Sequence, residues 1–253
     1  MLPVGDKAEA LIVGEEIGSF TLYTKRYQRP VWPGGASGVT CGIGYDLGQH
    51  TAEQIRTDWT GHLSAADVET LCSVAGCKGV DAQNRLRFTQ SVIIPIAVAE
   101  AVFSGSSLPL YAKMTEDALS NCDKLPPDAF GALVSLSYNR GAGGYGMDDA
   151  RHTEMAAIAD AMDRQAFTEI PALFVAMKRL WPEGGDLWNR RQHEADMFRA
   201  AFESEVAEPA KPTAREPDTS VAAPTEPAAE PATPEPAAPE SLVERVADFV
   251  KSI

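Results

Sequence analysis

Glu16, Thr40 and Asp46 are the residues of this chain whose types and placing suit chemistry, and the chemistry is acid-assisted cleavage of a glycosidic bond. Glu16 closes an apolar stretch, Ala8 to Ile17, in which Ala8, Leu11, Ile12 and Ile17 fall near one helical face while Gly14 and Gly18 limit the run. A carboxyl group at a helix C-terminus faces the negative end of the macrodipole. Ile12, Val13 and Ile17 would also desolvate it, so both effects disfavour the charged form. A carboxyl that keeps its proton near neutral pH is what general-acid catalysis on a glycosidic oxygen requires. The plainer alternative makes Glu15 and Glu16 two solvated acids on an ordinary amphipathic helix.

The partner wall comes from Ser37 to Asp46, SGVTCGIGYD, where small or β-branched residues alternate with glycines. This pattern predicts a tight hairpin whose backbone approaches a ligand closely. It is not a dinucleotide loop: Gly42 and Gly44 lack the third glycine and no long buried strand precedes them. Thr40 supplies a hydroxyl on this hairpin and Asp46, six residues on, a carboxylate at its mouth.

These residues carry a resemblance. An acid ending the first helix, Tyr23 seven residues later, and Val39-Thr40-Cys41-Gly42-Ile43-Gly44-Tyr45 resemble the phage-type lysozymes, the muramidases of glycoside hydrolase family 24. Ala132 to Gly143, ALVSLSYNRGAG, is similar to that family's buried helix ending in an Asn and a glycine turn. Leu187 to Ala195, LWNRRQHEA, is similar to its closing helix. The resemblance implies an α+β, mostly helical, lysozyme-like fold, with a small N-terminal β-hairpin lobe and a larger helical lobe separated by a cleft. It further implies Glu16 as general acid, Thr40 as the hydroxyl that places water or sugar, and an Arg of the closing helix, Arg190, paired with Glu16. Tyr23, Trp32, Tyr45 and Asn139 are the expected substrate-binding residues, and peptidoglycan is the expected partner.

The family's second carboxylate falls here on Lys25, and no Asp or Glu occurs from Ser19 to Tyr45. Glycoside hydrolysis normally uses two carboxylates, roughly 6.5–9.5 Å apart for direct attack by water and roughly 5–5.5 Å apart for an enzyme nucleophile. Asp46 either fills that role or caps a turn, a common job for Asp. In the second case Glu16 acts alone, as in a lytic transglycosylase, where a sugar hydroxyl closes an anhydro ring. A third alternative is a lysozyme-fold protein that binds glycan or joins a virion without catalysis.

Between Tyr23 and Thr40 the loop interleaves Lys25, Arg26 and Arg29 with Tyr27 and Trp32. Aromatic faces stack on sugars or bases, and basic groups meet carboxylates or phosphates. Alternatively Trp32 simply pins the loop. The whole chain carries 22 basic and 36 acidic residues, a formal net charge of -14, which argues against a nucleic-acid partner. Residues 204–253 hold ten of the acids and four of the bases, leaving 26 acids against 18 bases in the body, so any field favouring an anionic wall must be local.

Positioning these groups falls to a helical body, residues 1–203. Thr51-Ala-Glu-Gln54 and Ser64-Ala-Ala-Asp67 read as helix starts, with Gly76 ending the second helix. Thr89 to Phe103 predicts a buried helix kinked or restarted at Pro95. Further helices are expected at 110–121, 126–139, 148–162, 164–178 and 188–202, with Pro171 distorting its own. Residues 204–240 are rich in Pro, Ala and Glu and read as a disordered linker. Residues 241–253 begin with a Ser-x-x-Glu capping box and predict a short amphipathic helix bearing Leu242, Val246, Phe249, Val250 and Ile253, whose partner is open.

The first residues show no basic region before an apolar core, so no signal peptide is expected and the protein should accumulate in the cytoplasm. No segment is long and apolar enough for stable membrane insertion. Action in the periplasm or cell wall would then follow release, as for an endolysin, and a monomer is expected. Cys72 and Cys77 are close enough in sequence to bridge, but a cytosolic start favours thiols. The scattered histidines have no metal-ligand spacing, so neither a metal nor another cofactor is expected.

Overall fold

The computed structural model describes residues 1–207, the side chains of 204–207 excepted. Its architecture is mostly helical with one two-stranded antiparallel sheet. The chain runs α1 (Asp6–Ile17), β1 (Thr40–Cys41), β2 (Tyr45–Asp46), α2 (Ala52–Trp59), α3 (Ala65–Cys72) and α4 (Gly79–Arg85). It continues through α5 (Ile96–Val102), α6 (Leu108–Ala118), α7 (Pro127–Arg140), α8 (Thr153–Asp163), α9 (Ile170–Met177) and α10 (Asp186–Ala207). Because α10 passes residue 203, the expected body extends slightly further. The rest of the expected linker and the terminal helix, residues 208–253, lie outside the described residues.

The helix α1 is not the one-faced amphipathic helix its pattern suggested. Ala8, Ala10, Leu11, Ile12, Val13, Gly14 and Ile17 are all buried, because α7 and α10 both pack against it. Gly131 of α7 makes the close approach possible: a Cβ there would lie 2.1 Å from the Ala8 Cβ. α7 is the central element, with nine consecutive buried residues from Ala129 to Ser137, and a helix buried on every side needs no periodic polar face. α10 closes the bundle over α7 and α9.

Two sequence expectations concern prolines, and only the one at Pro171 needs correction. Of the two alternatives at Pro95 the restart holds: it is the N-cap of α5, preceded by a 3₁₀ turn at Leu86–Thr89 and a non-helical stretch. Pro171 does not distort its helix but occupies the first turn of α9. Both follow from the missing N–H, which costs nothing at a helix start where the amide has no intrahelical partner. The expected box at Thr51 is present in both directions, Thr51 Oγ1 accepting from Gln54 N and Gln54 Oε1 from Thr51 N. Gly76 does not end α3, which stops at Cys72; it lies in the following turn at φ 70°.

Among the described residues no helix is long and apolar enough to cross a membrane. All four cysteines are free thiols.

Candidate active site

The hairpin register decides which side chains share a face. Thr40 pairs with Asp46 and Cys41 with Tyr45, and directly opposed residues of an antiparallel pair point the same way. Cys41 and Tyr45 lie on the core face, 2% and 3% exposed, whereas Thr40 and Asp46 are half-buried on the other. Gly42 and Gly44 turn the chain at φ 58° and 68°, a backbone region that L side chains rarely occupy.

Gly44 also explains how α1 reaches the hairpin. A Cβ at this position would sit 3.0 Å from Tyr138 Oη and 3.2 Å from Glu16 Oε2, so only glycine lets both groups come up to the turn. Tyr138, from the end of α7, donates its hydroxyl to Ile43 O at 2.6 Å and fixes the hairpin against the helical body.

Glu16, in the last turn of α1, keeps its side chain 23% exposed. Arg190 Nη1 of α10 donates to Glu16 Oε1 at 2.8 Å. That arginine belongs to a buried network. Its Nη2 donates to Ser135 O and Oγ, both at 3.2 Å, and its Nε to Glu194 Oε1 at 3.3 Å. The same Glu194 oxygen accepts from Arg191 Nη2 at 2.9 Å and from Ser135 Oγ at 2.7 Å. Burial opposes the charge on Arg190, but Glu16 and Glu194 outweigh it and raise the guanidinium's affinity for its proton. Burial pushes the Glu194 carboxyl above the usual range against the pull of both arginines. For Arg191 burial prevails and its pKa is lowered to about 10.

Asp46 is held differently. Oδ1 accepts from Gly48 N at 2.8 Å and Oδ2 from Gly38 N at 3.2 Å, making it the N-cap of a 3₁₀ turn at Leu47–Gln49. An ionised carboxylate has about four lone-pair sites, so two remain for a water or a hydroxyl. Thr40 Oγ1 makes no hydrogen bond within the described residues, its backbone being bridged to Val31.

Several expected binding residues stand elsewhere. Tyr23 is fully buried and donates its hydroxyl to Ile94 O at 3.0 Å, a structural bond that leaves no face of the ring on the surface. Tyr45, on the core face, stacks on His50 with centroids 4.1 Å apart and donates to Asp58 Oδ2 at 2.6 Å. Trp32 donates Nε1 to Ser37 O at 3.1 Å and packs against the core, which pins its loop. Asn139 accepts from Arg191 Nη2 at 3.3 Å and lines a separate cavity.

Sequence reasoning missed Tyr111 of α6. Its ring centroid lies 4.5 Å from that of Tyr138, and burial together with the charges of Glu16 and Asp46 raises its pKa. This half-buried phenol joins the candidate site through Tyr138, and no local pattern around Leu108-Pro-Leu-Tyr111 announces it. The same holds for Ser135 and Glu194, whose roles depend on helix packing. Among the described residues no group of three His, Cys, Asp or Glu side chains converges as a metal site would need.

No curated protein matches the chain. Residues 12–126 are similar to a family described as a domain of unknown function, DUF8812, a stretch that contains Glu16, Thr40, Asp46 and Tyr111 and stops before α7.

Proposed function

We propose that the protein is a peptidoglycan hydrolase of the muramidase type, cleaving the β-1,4 bond between N-acetylmuramic acid and N-acetylglucosamine and so lysing bacterial cells. The observation that carries this reading is the arrangement around Gly44: a partly exposed acid ending a buried helix meets a glycine turn whose open face bears a hydroxyl and a second carboxylate. The hairpin and the helical body would then be the small and large lobes of a lysozyme-like fold, with the glycan between them. Its site of action would be the periplasm or the cell wall.

In hydrolysis Glu16 gives its proton to the glycosidic oxygen as the bond to the anomeric carbon breaks, while water attacks that carbon and passes a proton to Asp46. Thr40 hydrogen-bonds the water or the sugar. Arg190 holds the Glu16 carboxyl in one orientation and carries a counter-charge once the proton has left.

A second reading, a single-acid lytic transglycosylase, is favoured by the two backbone amides that already occupy Asp46. There a hydroxyl of the sugar itself attacks, Glu16 takes that hydroxyl's proton after donating its own, and no water is consumed. Mass spectrometry of products from purified peptidoglycan, run in ¹⁸O water, separates the two. Labelled reducing muropeptides support hydrolysis; unlabelled anhydro products support the transglycosylase. Glu16→Gln should lower either activity by about 10²–10⁴-fold or more, and a fully active variant removes both readings.

A further inference from the structure

Apart from the hairpin residues, Asn139, Arg140, Arg151, His152, Trp181 and Leu187 line an open cavity of about 380 Å³, within the size range of small-molecule sites. Its polar lining presents donors. Asn139 Oδ1 is committed to Arg191, which leaves the amide NH₂ for the cavity. His152 Nδ1 meets Asp149 Oδ2 at 2.8 Å, leaving Nε2. Arg140 and Arg151 each carry a guanidinium, which never accepts.

The charges are also unbalanced. Arg179 is taken by Glu154 at 2.5 Å, and Asp149 by His152. Arg140 contacts Arg151 O at 2.6 Å, Met155 Sδ at 3.4 Å and the Trp181 ring at 5.3 Å, none of them anionic. Within the described residues neither Arg140 nor Arg151 touches a carboxylate, although the chain carries 36 acids against 22 bases. Burial, and after it the neighbouring Arg151, lower the Arg140 pKa against the opposing pull of Glu154 and Asp149, neither of which pairs with it.

We infer that this cavity binds an organic carboxylate. A planar carboxylate matches the guanidinium fork bidentately, the Asn139 amide adds a third donor, and Trp181 and Leu187 supply apolar walls that bare phosphate would leave exposed to no purpose. None of its lining residues is Glu16, Thr40 or Asp46, and the proposal does not depend on what those residues do.

Isothermal titration calorimetry of the full chain tests it with three probes: N-acetyl-leucine, its uncharged amide, and inorganic phosphate. N-acetyl-leucine should bind at micromolar to millimolar concentration, the amide at least about tenfold more weakly, a difference of about 1.4 kcal/mol, and phosphate also more weakly. Because Arg140 braces the Arg151 loop and its loss could disturb folding, the informative variant is exposed Arg151→Glu, which should weaken the carboxylate at least about tenfold while leaving the melting temperature unchanged. Equal binding of acid and amide overturns the proposal. So does phosphate binding as tightly as the carboxylate, which would make this a free-anion site, or no carboxylate heat up to about 10 mM.

Discussion

The two carboxylates of the candidate cleft are held in opposite ways. Asp46 takes its hydrogen bonds from backbone amides two and eight residues away, whereas Glu16 is oriented by a guanidinium 174 residues distant. The first arrangement is a property of one hairpin and needs only its glycines and its register. The second exists only when three helices have packed and the buried Arg190–Glu194–Arg191 cluster has formed. Local holding gives a group its direction cheaply; remote holding ties its chemistry to the stability of the whole body.

Breaking the remote side should have the largest effect. Glu194→Ala leaves Arg190 and Arg191 buried without their shared acceptor, and removing one member of such a cluster costs about 3–5 kcal/mol. Thermal denaturation should register this as a large fall in melting temperature, and any remaining folded protein should lose activity as Arg190 drifts from Glu16. A loss under about 1 kcal/mol would mean that the two sides are not so different. Next comes the turn itself. Gly44→Ala forces a side chain into φ 68° and against Tyr138 and Glu16, at about 1–3 kcal/mol, with a disproportionate loss of turnover because the clash lies on the acid.

A smaller effect is expected from a purely local device. Thr51→Ala removes one half of the capping box on α2 and should cost about 1 kcal/mol in denaturant unfolding, with activity intact. Smallest is the surface. Glu69→Gln breaks its exposed pair with Arg56, 2.6 Å long, and should leave the melting temperature unchanged at physiological salt. Its pH sign is still defined. The hydrogen bond from Arg56 lowers the Glu69 pKa below 4.5, so whatever the pair contributes is present above pH 4.5 and disappears as pH falls through the lowered value. Wild type and variant should therefore converge in acid; divergence there would contradict the assignment.

This local and remote division also explains what the sequence reveals. The hairpin was readable because Val39 to Asp46 carries its own glycine punctuation, and the capping box at Thr51 because its partner lies three residues on. The proline at 171 misled, and the one at 95 left two alternatives open, because a proline marks a boundary without saying on which side the helix lies. Tyr23 and Tyr45 were expected at the ligand, yet their faces are set by packing against Ile94, Asp58 and His50. Arg190 came into view through a resemblance of motifs, and Glu194 stands in the same stretch although its role there was not legible, whereas Tyr111 has no signature apart from the contacts that surround it. The cavity beside Trp181 was invisible for the same reason, since its lining comes from three separated stretches of chain.

The length of chain between Glu16 and its arginine has a consequence during synthesis. While the ribosome is still working, the first helix and the hairpin have long emerged, but the guanidinium that orients the acid has not yet been translated. A nascent or prematurely terminated polypeptide therefore carries the acid without its brace. Under the wall-cleaving function proposed above, the order of residues along the messenger acts as a timer, so that competence arrives with α10 and not before.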